Sequence, residues 1–205
     1  MTRPHSDAKV SPISYPTKKR NSRHDPGRRD RIIDAAVRVL SRVGVDGASH
    51  RTIAQEAGVP LGSMTYHFSG LDEILAEAFS RFTEGATQGF EEPFEGVTSL
   101  EGARAAIVSI LVDASDPEGD LIVLSSELYA AGIRHPRFGA ILEAWIRRCR
   151  AVMARYFDQS TVYILDAFYQ GIILHRALNS VQHPVELIEL AVERMTPPHT
   201  FIYHG

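Results

Sequence analysis

Residues 49–68 read SHRTIAQEAGVPLGSMTYHF, and this stretch restricts the fold more than any other part of the chain. Ser49 is placed to cap a short helix running through Ala57, because its side-chain oxygen satisfies an amide that the first turn leaves open. Gly58 breaks that helix at a reversal where a Cβ would be strained. A second short helix is predicted from Pro60 to about Phe68. Ala54 has to be small where the second helix crosses, and Ile53, Ala57, Val59, Met64 and Phe68 close a small core beneath the pair. Two short helices joined by a tight turn make a helix-turn-helix.

The rest of the chain reads as helix as well. Ile32, Ile33, Ala36, Val37, Leu40 and Val43 recur at helical spacing, with Asp25-Pro26 as a start signal and Gly44 as a left-handed stop. Leu71, Ile74, Leu75, Ala78, Phe79 and Phe82 give a fourth stripe, opened by Ser69 and Asp72 in the pattern of a capping box. Gly85, Gly89, Pro93 and Gly96 mark a break. Helices are predicted over about 99–114, 117–131, 137–157, 160–180 and 184–195, and no run alternates with the period of two that a strand needs. The expected fold is all-α: a three-helix N-terminal head with the helix-turn-helix, then a larger helical body. The expected divisions are a disordered basic arm over 1–24, the head over 25–70, the body over 71–196 and a loose tail over 197–205.

Charge is unevenly spread. Residues 1–70 hold 12 Lys+Arg against 6 Asp+Glu, and residues 71–205 hold 10 against 19. Lys18, Lys19, Arg20, Arg23, Arg28, Arg29 and Arg31 cluster near the start. A basic head on an acidic body points to an anionic partner, although a basic tail on an acidic domain gives the same count. Double-stranded DNA fits the helix-turn-helix. Leu61, Gly62, Ser63 and Thr65 are then the candidates for base edges. Tyr66, His67, Ser49, Arg51, Arg28 and Arg29 are the candidates for the phosphate backbone.

On these residues the sequence resembles the TetR family of transcriptional regulators. The resemblance runs over residues 28–75: an arginine-led helix ending VGVDGAS, the TIAQEAGV core, GSMTYHF and the opening LDEIL. It implies a homodimeric DNA-binding regulator, commonly a repressor, whose later helices form a pocket for a small-molecule effector and whose last two long helices pair with a second subunit. Two positions depart from the family pattern. Thr65 stands where members usually carry Tyr, the aromatic being Tyr66, and Leu71 stands where a phosphate-contacting Lys is usual. An activator or a ligand-independent regulator would use the same head.

For the pocket, Phe82, Leu124, Glu127, Trp145, Cys149 and Phe168 are the candidates, each open to a plain packing role. For the dimer, Leu165, Phe168, Ile172, Leu187, Leu190 and Ala191 are the candidates, the alternative being a buried central helix of a monomer. Ala167 and Gly171 allow a close crossing.

Several classes find no site. The single cysteine excludes an internal disulfide and suits a reducing cytoplasm. The nine His are scattered without HExxH or paired-Cys spacing, so no metal or other cofactor is expected. GxSxG, P-loop and GxGxxG motifs are absent, which argues against hydrolase, NTPase and dinucleotide readings. No run approaches the ~18 apolar residues of a membrane span. A helical carrier or enzyme for an apolar molecule is the rival from another class.

Overall fold

The computed structural model describes residues 25–113, 120–177 and 183–203, and everything below concerns these. Among them there are nine α-helices and two short 3-10 turns. The head is α1 (Arg28–Gly47), α2 (His50–Glu56) and α3 (Gly62–His67). The body is α4 (Leu71–Glu91), α5 (Leu100–Asp113), α6 (Asp120–Arg134), α7 (Pro136–Met153), α8 (Gln159–Ala177) and α9 (Val185–Met195). One continuous apolar cluster runs from Ile32, Leu40, Ile53 and Met64 in the head through Ile74 and Phe79 to Phe157 and Val192 in the body.

Helix α4 joins the two parts. It packs on α1 with one end and on α7 further along, so the head rests directly on the body. Its apolar stripe continues through Thr83, Thr87 and Phe90. For that reason Gly85 and Gly89 do not break the helix as their residue type suggested. Each costs about 1 kcal/mol of helix propensity relative to alanine, and burial of the continuing stripe outweighs it. The real stop is at Glu91, followed by the 3-10 turn Glu92–Phe94 with Pro93 in it.

Other local readings shift as well. Asp25 does not cap α1 directly; its carboxylate accepts the N–H of Gly27 at 3.2 Å, and the helix begins at Arg28. Ser69 pairs with Glu73, not Asp72: its N–H and hydroxyl both donate to Glu73 Oε2, at 2.7 and 2.6 Å. Gly44 does take a positive φ, +67°, which kinks α1 near its end.

The segment read as a loose tail is docked. Asp158 N–H donates to Thr200 O at 2.9 Å and Ile202 N–H to Tyr156 O at 2.8 Å. Tyr156 stacks with Phe94 and with Tyr203, both at 5.2 Å between ring centroids, and its hydroxyl donates to the Phe94 carbonyl at 3.1 Å. Burial of these aromatic faces outweighs the chain entropy that the Pro-rich composition suggested would win.

Candidate nucleic-acid interface

The helix-turn-helix is built as its residues dictate. Thr52 N–H donates to Ser49 Oγ at 3.2 Å, and Ser49 N–H donates to Thr52 Oγ1 at 2.9 Å, a reciprocal cap on α2. Gly58 turns the chain with φ +64°, and Val59 N–H closes the turn on Ala54 O at 3.0 Å. Ile53 and Met64 are fully buried beneath the pair.

Helix α3 divides sharply. Leu61, Gly62, Thr65 and Tyr66 face solvent, Tyr66 with 76% of its surface exposed. His67 is half-buried, its ring edge-on to Tyr66 at 4.9 Å. Ser63 faces the other way and is only 8% exposed, because positions 63 and 64 point into the core beneath the turn. At six residues, α3 spreads its outward face over 61, 62, 65 and 66, and Ser63 stands apart from the other base-edge candidates. The Thr65 hydroxyl donates to its own helix at Gly62 O, 3.3 Å away.

The arginines of α1 hold the head together. Arg29 pairs with Glu77, lies 3.9 Å from Glu73 and sits 5.0 Å over the Phe68 ring. Arg31 pairs with Asp25 at 2.5 Å, and Arg28 Nε lies 4.0 Å from the same carboxylate. Arg38 and Arg42 clamp Glu56 of α2 at 2.8 and 3.1 Å and hold its carboxyl below the usual carboxylate range. Arg81 of α4 bridges back to Asp30 and Asp34. Arg29 thus carries a structural task that the charge count could not reveal. Arg51 is different: it is exposed on α2 with no hydrogen bond or ion pair to another described residue. The basic cluster from Lys18 to Arg23 lies outside the described residues.

In the body, the structure brings some pocket candidates together and separates others. Phe82 meets Trp145 edge-on at 5.5 Å. Trp145 and Cys149 line a small enclosed cavity with Phe90, Asp166, Tyr169 and Gln170, residues of α4, α7 and α8. Burial and the Asp166 carboxylate push the Cys149 thiol up to about 12, and burial raises Tyr169 as well. Leu124 is buried and borders a separate groove with Phe82 beside α1. Phe168 packs against the core away from the cavity. The Glu127 carboxylate accepts the Val45 N–H at 2.8 Å, reaching from α6 to the kink of α1.

Two residues with evident work escaped the sequence reading. Asp166, buried on α8, accepts Nε and a terminal amine of Arg150 on one oxygen, at 3.0 and 2.6 Å. Arg150 also lies 4.8 Å over the Tyr163 ring. Arg and Asp sixteen residues apart on different helices give no local signal.

The dimer candidates divide too. Leu165 and Ile172 are buried within the chain's own core. The outward stripe of α8 is Tyr163, Ile164, Ala167 and Leu174, and that of α9 is Val185, Leu187 and Leu190, with Ala191 partly covered. Among the described residues, no helix is long and apolar enough to cross a membrane, and no group of three or more His, Cys, Asp and Glu could hold a metal ion.

A two-helix unit that packs its inner face and leaves a short outer face bare, seated on a helical body, defines a helix-turn-helix DNA-binding protein. The family model for bacterial regulatory proteins of the tetR family matches residues 32–78. Similar solved structures include the regulator SCO7518 of Streptomyces coelicolor A3(2), 39% identical, with TM-score 0.77, covering 83% of this chain and 99% of that one. SCO1917 of Streptomyces coelicolor A3, a TetR-family member, is 33% identical, with TM-score 0.74, over 84% of this chain and 99% of that one. The multidrug binding protein EbrR, solved with ethidium, is 33% identical, with TM-score 0.73, over 83% and 99%. The regulator UidR of Escherichia coli (strain K12) is 29% identical over 115 residues, and the match spans 57% of its length. The chain belongs to the TetR family. It is a DNA-binding transcriptional regulator, and its relatives are regulators, not enzymes.

Proposed function

We propose that this chain acts as a cytoplasmic homodimeric repressor on a palindromic operator, and that a small molecule binding in its helical body releases it. The observation that carries the reading is the division of α3: a buried inner face holds the helix in place, and Leu61, Gly62, Thr65 and Tyr66 stand clear to meet the major groove. Leu61 and Thr65 flank Gly62 as the base-edge set, and Tyr66, His67 and Arg51 serve the backbone. Residues 25–70 are the reading head, 71–196 the sensing and dimerising body, and 197–203 a strap docked on it.

The exposed apolar stripes of α8 and α9 support the dimer. Tyr163, Ile164, Leu174, Leu187 and Leu190 are large, uncharged and between 41% and 54% exposed, and a partner helix pair would cover them. A dimer supplies two recognition helices for the two half-sites of a palindrome. EbrR, which shares the fold at 33% identity, binds ethidium, and this supports an effector site in the body.

The test is selection of bound DNA from a random pool, followed by sedimentation of the complex. A motif with two inverted half-sites about one helical turn apart, held by two copies of the chain, is expected. A half-site bound by one copy overturns the dimer. Loss of repression from a promoter fusion on deletion is expected, and reduced expression would make the protein an activator.

A further inference from the structure

We infer that the corner between α6 and α7, residues 133–137, is a second grip on DNA: Arg137 and Arg134 bind backbone phosphates beside the recognition helix, a reading that rests on the DNA-binding head and needs neither the dimer nor an effector.

The path of the chain brings a phosphate strand to this place. Helix α3 has six residues and is about 9 Å long, shorter than the ~12 Å width of the major groove it enters. The chain leaving it through Phe68, Ser69 and Gly70 meets one wall of the groove, and α4 starts beside that wall. The opening residues of α4, Leu71, Asp72 and Glu73, offer phosphate no cation and two carboxylates. Arg29, the nearest arginine of α1, is already engaged by Glu77 and by the Phe68 ring. A cation for this phosphate strand comes from another element.

The α6–α7 corner is held against the head from both sides. On α6, Glu127 is bonded to Val45 N–H just ahead of α2, and Arg134 lies seven residues further, about 10 Å along the helix. On α7, Phe138 packs edge-on against Phe79 of α4 at 5.6 Å. The Glu73 carboxyl is held below the usual carboxylate range by its Ser69 hydrogen bonds first, then by Arg29 and by Arg137, so Arg137 lies within Coulomb reach of the start of α4. The turn is tight: a Cβ on Gly139 would lie 3.0 Å from the Gly132 carbonyl oxygen.

What the corner presents suits a nucleic-acid backbone. All five of its residues are exposed, Ile133 to 84%. The arginines of α1 and Arg81 are paired, whereas neither the Arg134 nor the Arg137 guanidinium closes an ion pair or hydrogen bond with another described residue. Guanidinium matches the geometry of phosphate oxygens, and an apolar tip between two of them fits a strand in which sugars alternate with phosphates.

The test measures affinity between 50 and 200 mM salt for a DNA fragment selected from a random pool. Each phosphate contact adds about 0.9 to the log–log slope, so over this range Arg137→Gln should lose about 3.5-fold less affinity than the unaltered chain, and the Arg134→Gln, Arg137→Gln pair about tenfold less. Arg147→Gln removes the same charge from an exposed position ten residues, about 15 Å, further along α7, beyond the ~10 Å screening length, and should leave the slope unchanged. Neutral methylphosphonates placed singly along the DNA then locate the contact. One position should weaken the unaltered chain and have no effect on Arg137→Gln. Equal slopes for Arg137→Gln and the unaltered chain, an equal change in Arg147→Gln, or a methylphosphonate profile that Arg137→Gln leaves intact overturns the inference. The slope of the unaltered chain reports binding by the head separately.

Discussion

The carboxylate of Glu127 and the backbone N–H of Val45 are joined by a 2.8 Å hydrogen bond across 82 residues of sequence. The bond fastens α6 of the body to the kink of α1, where Gly44 has φ +67° and a Cβ would lie 2.8 Å from the Glu127 carboxylate. Gly44→Ala therefore meets both backbone strain and a clash, and should cost about 1–3 kcal/mol by urea unfolding. Glu127→Ala removes the clash and also leaves Val45 N–H without its partner. The double variant should be more stable than the sum of the two single losses predicts. Additive losses would show that the two residues do not share the site.

The exposed stripe of α8 separates interface from core. Ile164 is 51% exposed in the single chain, so Ile164→Glu should leave the thermal unfolding of a monomer nearly unchanged. In a dimer the new carboxylate would be desolvated without a partner, so sedimentation should show monomer and operator affinity should collapse. Leu165→Glu, at a position 2% exposed, should instead destabilise the fold itself. A dimer that survives Ile164→Glu would place the interface elsewhere.

Four substitutions test the face of α3. Thr65→Ala or Leu61→Ala should change preference at a base pair of each half-site by about 1–3 kcal/mol. Tyr66→Phe should weaken binding to all sequences nearly equally, because backbone contacts carry no direct sequence information. Ser63→Ala, at a buried position, should leave base preference unchanged. Binding to a library of half-site variants measures all of these, and a preference that moves with Ser63 would reverse the assigned face.

Because the α1 arginines are already paired within the head, Arg51 stands out among the head's described residues as a cation available to phosphate. Arg51→Ala should flatten the log–log dependence of affinity on salt by about 0.9. Arg38→Ala should act mainly on stability, since Arg38 spans α1 and Glu56. An unchanged slope in Arg51→Ala would remove that phosphate contact.

Cys149 should be inert in the native state. Its thiol is buried and raised to about 12, so almost none is thiolate at neutral pH. A disulfide reagent at pH 7.5 should label it only as fast as the chain opens, and urea should speed labelling sharply. Prompt stoichiometric labelling of the folded protein would show that the site is accessible.

Local signals carried most of the architecture. Ser49, Gly58 and the apolar spacing of Ile53, Met64 and Phe68 each prescribe one short-range contact, and together they prescribe the helix-turn-helix. Contacts between distant segments were not legible. Nothing near Glu127 marks it as a partner of Val45, and nothing near Arg29 shows that Glu77 and Phe68 engage it. Helical periodicity also says that a face is apolar without saying what covers it, which is why Leu165 and Ile172 read as interface while the chain buries them itself. On a helix as short as α3, one position of register decides whether a residue such as Ser63 lies under the turn or on the outer face. The docking of Phe201 and Tyr203 depends on where Phe157 and Tyr156 end up, which only the assembled body decides.

The outer face of α3 and the face that anchors the helix are made of different residues. Ser63 and Met64 anchor the helix, while Leu61, Thr65 and Tyr66 contribute little to the core. With Leu61 and Thr65 as the proposed base-edge set, exchanges at those two positions would retune which operator is read at small cost to the scaffold beneath. A gene duplicate of this regulator could therefore acquire a new target through one or two codons, keeping its helical body intact, and the same separation makes the head a graftable part for rewired circuits.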